Sequence, residues 1–317
     1  MPHPEQDPVD AATAGLRGSL PALVTPLTPD RQVATGEVAG LVTRALGDGA
    51  SGVLVAGSTG EGALLEPAQR VDLVEHARAA LDEHRRAAPA DARCPVLVAG
   101  ASAPTVKELH ADVARLGASG ADLVLVLAPS TYPLTSDELL RLHLDVAERS
   151  STPTLVYHIP QLTGSALQPE AIRTLAAQAG VVGMKDSSPD ADRRAAFATE
   201  AAAADGRFEV VTGHAPTLRT ALEAGVAGSI TAIANVRQRT VVRLHEAVAA
   251  GDGQAAATHQ DTLTRVTEGL GRVGTSMPAA LKAAMQLDGV LVERWCRPPL
   301  GSVPADRLDR VRSALLR

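Results

Sequence analysis

The sequence predicts one (β/α)8 barrel carrying a helical extension at its C-terminal end. Three observations predict it. From Gly18 onward, short apolar runs of strand length alternate with stretches of helical periodicity. The runs lack the polar alternation of a one-sided sheet, as parallel strands covered by helices do. Eight such βα units follow one another with no Pro/Ser-rich linker, which favours closure into a single barrel. An open doubly wound sheet is the nearest rival. It asks for a glycine-rich phosphate turn after the first strand, and residues 25–29 hold no such turn.

In chain order, the strand candidates are residues 20–25, 52–56, 95–99, 122–127, 154–157, 181–185, 208–212 and 228–232. The helices between them are amphipathic. Val38, Leu41, Val42 and Leu46 form one apolar stripe, and Leu73, Val74, Ala77 and Leu81 another. Pro169 and Glu170 suit a first helical turn, and Ser136 suits a cap followed by acids. Gly47, Gly117, Gly120, Gly180 and Gly225 stand where a helix wants a left-handed residue to stop it. Past the eighth strand the pattern stays helical over 240–250, 254–270, 277–286 and 305–316, interrupted by a stiff segment from Trp295 to Leu300 that holds Pro298 and Pro299. The chain therefore divides into a loose tail over 1–17, the barrel over 18–235, and the last barrel helix with its extension over 236–317.

Composition narrows the function. Hydrophobic content of 45% with 21% charged residues suits a globular protein rather than a disordered one. A net charge of −6 argues against a nucleic-acid partner. No apolar run approaches the roughly 20 residues of a membrane span, and the first residues lack the basic and apolar regions of a signal peptide. Cys94 and Cys296 have neither metal-ligand spacing nor a disulfide framework, which fits a reducing cytoplasm.

In a barrel, chemistry belongs to the C-terminal ends of the strands. One residue there stands out. Of 30 basic residues only Lys107, Lys185 and Lys282 are lysine. Arginine keeps its proton, whereas a desolvated lysine can lose one and attack a carbonyl. Lys107 and Lys282 sit in helical patterns; Lys185 alone ends an apolar strand run. The bland alternative is a half-buried lysine paired with Asp186. Strand two ends in Gly57, Ser58, Thr59, Gly60 and Glu61, whose hydroxyls and backbone N–H groups can converge on a carboxylate. The alternative there is a tight turn with Glu61 capping a helix. Strand five ends in Tyr157 and His158, a tyrosine able either to relay a proton or simply to pack in the core. Strand seven leads to Gly213 and His214, and strand eight to Ser229, Thr231 and Asn235. Together these point to Schiff-base chemistry. Lys185 would attack a 2-oxo acid, Tyr157 and Ser58 would move protons, and Gly57, Ser58 and Thr59 would hold the carboxylate. The covalent link makes a cofactor unnecessary.

The chain resembles the dihydrodipicolinate synthase / N-acetylneuraminate lyase family of pyruvate-dependent class I aldolases. Residues 57–61 resemble that family's G-[ST]-T-G-E, Tyr157 to Pro160 its Y-N-x-P, and Met184 to Asp186 its [GI]-x-K-[DEQ]. The interval of 28 residues between Tyr157 and Lys185 also matches. The resemblance implies a Schiff base on Lys185, a proton relay through Tyr157, carboxylate binding by Ser58 and Thr59, and a homo-oligomer, a tetramer by analogy. Three departures bear on the substrate. Leu162 stands where dihydrodipicolinate synthases carry an arginine, Thr131 where they carry a second tyrosine, and His214 where sialic acid lyases carry acids. The sequences around Met184, Ile233 and Cys296 resemble instead the 4-hydroxy-2-oxoglutarate and 2-keto-3-deoxy-sugar-acid branches. Leu162, Ser187, His214 and Thr231 are then expected to face the distal part of the substrate. Dehydration of a 2-keto-3-deoxy sugar acid and dihydrodipicolinate synthesis are the near rivals. A metal ringed by His158, Asp186 and His214, or a non-catalytic sugar-acid-binding barrel, is the remote one. The other histidines read as solvated helix or tail residues.

Overall fold

The computed structural model describes residues 8–89, 94–204 and 208–316. Its frame is an eight-stranded parallel sheet made of β1 (Ser19–Pro21), β2 (Gly52–Val55), β3 (Val96–Ala101), β4 (Leu123–Leu127), β5 (Thr154–His158), β6 (Val181–Asp186), β7 (Glu209–Thr212) and β8 (Gly228–Thr231). The strands neighbour one another in chain order, and β8 returns to pair with β1. The last seam, between β1 and β2, is closed by the Leu23 N–H donating to the Leu54 carbonyl at 2.8 Å and the Ser51 N–H donating to that of Ser19 at 3.0 Å. No edge is left, as barrel closure requires.

Two apolar layers result. The barrel interior holds Leu20, Ala22, Leu54, Val98, Leu125, Leu155, Val182, Val211 and Ile230. The outward residues of the same strands, among them Val53, Val55, Leu97, Val124, Val156 and Met184, pack against the helices. This double burial explains why the strands read as continuous apolar runs. The helical stripes face inward as expected, with Val38, Leu41, Val42, Leu46, Leu73, Val74, Ala77 and Leu81 all buried. Burying each large aliphatic chain contributes about 1.5–3 kcal/mol.

The helices are α1 (Pro8–Gly15), α2 (Thr35–Gly47), α3 (Pro67–Ala87), α4 (Val106–Ala118), α5 (Ser136–Arg149), α6 (Pro160–Thr163), α7 (Ala171–Ala177), α8 (Ala191–Ala202), α9 (Leu218–Glu223), α10 (Ala234–Ala249), α11 (Gly253–Gly271), α12 (Met277–Leu287) and α13 (Leu308–Leu316). Among the described residues none is long and apolar enough to cross a membrane. The segment expected to be a loose tail includes α1, and Ala12 and Leu16 join the apolar cluster inside the barrel. Thr135, one residue before the expected cap, closes α5 in a reciprocal capping box with Glu138. Gly47 and Gly117 lie inside α2 and α4, and the left-handed positions after those helices fall on Gly49 and Gly120.

Of the histidines expected at the surface, His143 is buried and His245 half-buried. His143 lies on the inner stripe of α5 with Leu139, Leu142 and Val146, and His245 hydrogen-bonds the buried Ser229 hydroxyl at 2.8 Å. Burial lowers both imidazoles to about 4.

Candidate active site

The strand register builds the centre of the site. Tyr157 of β5 is paired with Lys185 of β6, and His158 with Asp186. Alternation then sends Tyr157 and Lys185 into the barrel and His158 and Asp186 out toward the helices. A register shift between Thr154 and Leu155 sets this phase. Lys185 is 4% exposed and Tyr157 7%, and the lysine Nζ lies 4.5 Å from the tyrosine ring centroid. Among the described residues no carboxylate lies within ion-pair distance of Lys185. Asp186, its neighbour in sequence, is engaged on the other side of the sheet.

The turn after β2 packs beside this pair. The Gly62 N–H donates to the Gly57 carbonyl at 3.0 Å and the Glu61 N–H to that of Ser58 at 3.2 Å. Thr25 Oγ1 donates to the Gly60 carbonyl at 2.5 Å. Ala56 and Glu61 both take positive φ, 53° and 59°, which few non-glycine residues adopt. Gly57, Ser58, Gly100, Ser102, Leu125, Leu127 and Tyr157 line a small cavity of about 20 Å³. A roomier one, about 430 Å³, lies between α2 and α10 but reaches neither Lys185 nor Tyr157. Tyr157 and Ser58, not size, mark the smaller cavity as the site; Lys185 does not line it but lies against the Tyr157 ring.

Behind the lysine runs a buried polar network. The Leu167 N–H donates to His158 Nε2 at 3.3 Å, so the ring proton sits on Nδ1, which donates to Asp186 Oδ1 at 2.7 Å. Arg194 Nε donates to Asp186 Oδ2 at 2.8 Å, and the Ser188 hydroxyl donates to the same oxygen at 3.0 Å. Arg194 goes on to the Ser188 carbonyl and, at 2.8 Å, to Thr217 Oγ1, whose proton is free to meet His214 Nδ1 at 2.9 Å. Burial alone would raise the Asp186 carboxyl. The His158 hydrogen bond and the charges around it outweigh that and hold it below the ordinary range. His214 is held low by burial and by Arg194, against the pull of Asp186. His158 and Asp186, which the sequence offered to a metal, thus use their polar atoms on one another and on Leu167, Ser188 and Arg194.

The dihydrodipicolinate synthetase family model matches residues 15–317. The chain belongs to this family. It is 32% identical over 289 residues to an uncharacterised DapA-like lyase of Halobacterium salinarum, covering 91% of this chain and 90% of that protein. It is 30% identical over 303 residues to the 4-hydroxy-tetrahydrodipicolinate synthase of Gluconacetobacter diazotrophicus, covering 96% and 97% of the two chains. Its fold is shared with a Ruminococcus gnavus sialic acid aldolase bearing a mutated catalytic lysine, at a TM-score of 0.85, 19% identity and 95% coverage of each chain. The chain is therefore a lyase of the dihydrodipicolinate synthetase family.

Within this family member, most of the residues singled out from sequence converge. Gly57 and Ser187 are buried, Ser58, Thr59 and His214 half-buried. Ser187 lies against Gly213: a carbon added on Gly213 would stand 2.0 Å from Ser187 Oγ and 2.9 Å from Lys185 Cε. Thr231 is fully buried at the end of β8, and its hydroxyl has no hydrogen-bond partner among the described residues. Leu162 does not join them. It is 62% exposed on α6. Tyr132, after Thr131, is 76% exposed. Sequence reading missed three groups. Ser102 follows β3 with a buried hydroxyl on the cavity that has no partner among the described residues, and the strand-end rule would have found it. Arg194, one of two adjacent arginines on α8, carried no local signal for facing inward. Glu61 caps nothing with its side chain; it forms a fully buried ion pair with Lys282 of α12.

Proposed function

We propose that this lyase forms a Schiff base between Lys185 and a 2-oxo acid and cleaves it to pyruvate and an aldehyde, or runs the condensation in reverse. One observation carries the reading. Lys185 is buried and has no carboxylate partner among the described residues, and it faces Tyr157 across one strand pair. The Lys185 amine attacks C2 of the 2-oxo acid and water leaves, giving an imine. The protonated imine accepts the electron pair of the C3–C4 bond as the C4 hydroxyl gives up its proton, and the aldehyde departs. The resulting enamine takes a proton at C3, and water then releases pyruvate and restores the amine. Tyr157 and Ser58 relay these protons, and the Gly57–Ser58–Thr59 turn holds the carboxylate. The catalytic lysine of the Ruminococcus gnavus relative supports the assignment by analogy.

The distal substrate is a 2-keto-3-deoxy sugar acid or a 4-hydroxy-2-oxo acid. Ser187, His214 and Thr231 offer hydroxyls and an imidazole. Arg194 is nearby, but its donors are taken by Asp186, Ser188 and Thr217. A second carboxylate would lack an ion-pair partner, and an unpaired buried charge is costly. The reading extends to a cytoplasmic homotetramer that needs no cofactor; two free cysteines fit that compartment. The test is a panel of 2-oxo acids with products identified by mass spectrometry, together with borohydride trapping of pyruvate and peptide mapping. We expect pyruvate on Lys185 and an aldehyde among the products. An adduct on Lys107 or Lys282, or none, would overturn the mechanism. Loss of water without an aldehyde would make the enzyme a dehydratase.

A further inference from the structure

Lys282 is the third lysine of the chain and the mechanism makes no use of it. It lies on α12, fully buried, and its ammonium contacts the equally buried Glu61 carboxylate. The ammonium also donates to the Trp295 carbonyl at 2.6 Å. The second Glu61 oxygen accepts the Arg297 N–H at 2.6 Å. Arg297 then reaches the Leu64 carbonyl at 3.2 Å and the Arg31 carbonyl at 2.9 Å. Arg31 in turn lies 4.1 Å over the Trp295 ring. The C-terminal extension thus straps the turn that begins at Gly57 from the outside.

The strap holds a backbone that would not hold itself. Glu61 takes a left-handed φ of 59°, a conformation that costs a residue with a side chain unless its surroundings enforce it. Its N–H closes the turn on the Ser58 carbonyl. If Glu61 relaxes, the hydroxyl and N–H groups of Ser58 and Thr59 lose their aim. A buried ion pair is weak evidence for stability, because desolvation offsets its attraction, but it fixes one geometry strongly.

We infer that Lys282 and Glu61 are positioning residues that set the carboxylate-binding turn, so that the C-terminal extension tunes recognition of the oxo acid's carboxylate. This rests on the function proposed above. The test compares borohydride trapping of pyruvate with that of acetone, which offers the same ketone without a carboxylate. It is run on the full-length protein and on Lys282→Met, Glu61→Gln and the double variant. Half-saturation by pyruvate should weaken by about 10- to 100-fold, the scale of one hydrogen bond to a charged group. Half-saturation by acetone should stay within about twofold, and trapping at saturation should still reach completion. The double variant leaves no orphaned buried charge and covers a failure of either single one to fold. Arg297→Ala, which keeps the pair, should shift pyruvate in the same direction by less. Equal losses for both ketones, or none for pyruvate in a folded double variant, would overturn the inference. Failure of the unmodified protein to trap pyruvate on Lys185 would instead overturn the function proposed above.

Discussion

Gly213→Ala offers a test of how tightly Lys185 is held. The added methyl carbon would lie 2.0 Å from Ser187 Oγ and 2.9 Å from Lys185 Cε. Non-bonded carbons settle at about 3.5–4.0 Å, so one or both side chains must retreat by roughly 1 Å. Overpacking of this kind costs about 1–3 kcal/mol in stability, a melting shift of several degrees for a chain this long. A displacement of about 1 Å at a reacting group costs up to about 100-fold in rate. Single-turnover trapping of pyruvate, kcat and Tm would be measured together. The double variant Ser187→Ala/Gly213→Ala removes the closest clash but leaves the contact with Lys185. It should regain stability without regaining the trapping rate. Parent-like trapping by folded Gly213→Ala would show that Lys185 is not constrained from this side.

Three further outcomes follow from the same geometry. Tyr157→Phe removes a hydroxyl and little volume, so the fold should persist while kcat falls about 10²- to 10⁴-fold; unchanged turnover would leave Tyr157 a packing residue. Arg194→Met leaves Asp186 buried with a lost partner, which should cost about 3–5 kcal/mol in denaturant unfolding; a loss below about 1 kcal/mol would deny the network a structural role. His143 and His245 remain neutral in the fold down to about 4, whereas the unfolded chain binds protons from about pH 6.5. Stability should therefore fall as pH drops from 6.5 toward 4, by about 3 kcal/mol per histidine, with the loss from Asp186 protonation coming lower still. Tm measured across that window should fall less steeply in His143→Leu, and an unchanged slope would refute the assignment.

The sequence by itself determined the barrel, because the evidence for it is local. A strand buried on both faces reads as an apolar run, and a helix buried on one face reads as a stripe, wherever its neighbours lie. Lys185 and Tyr157 were legible for the same reason. Each ends an apolar run, and the rarity of lysine in this chain set Lys185 apart. His143 was misread as solvated, although it falls on the stripe of Leu139, Leu142 and Val146 and is buried. What only the tertiary structure decided was which groups meet. Asp186 follows Lys185 directly, yet strand alternation turns it away, to His158 and Arg194. Leu162 follows the strand-five end as a site residue should, yet α6 carries it to the surface. Lys282 sits in a helical pattern that gives no sign of an inward ion pair, and its partner Glu61 lies at the far end of the barrel's sequence. Periodicity reports that a residue faces the interior. The partner that satisfies its charge comes from a distant element, and chain closure alone brings that element near.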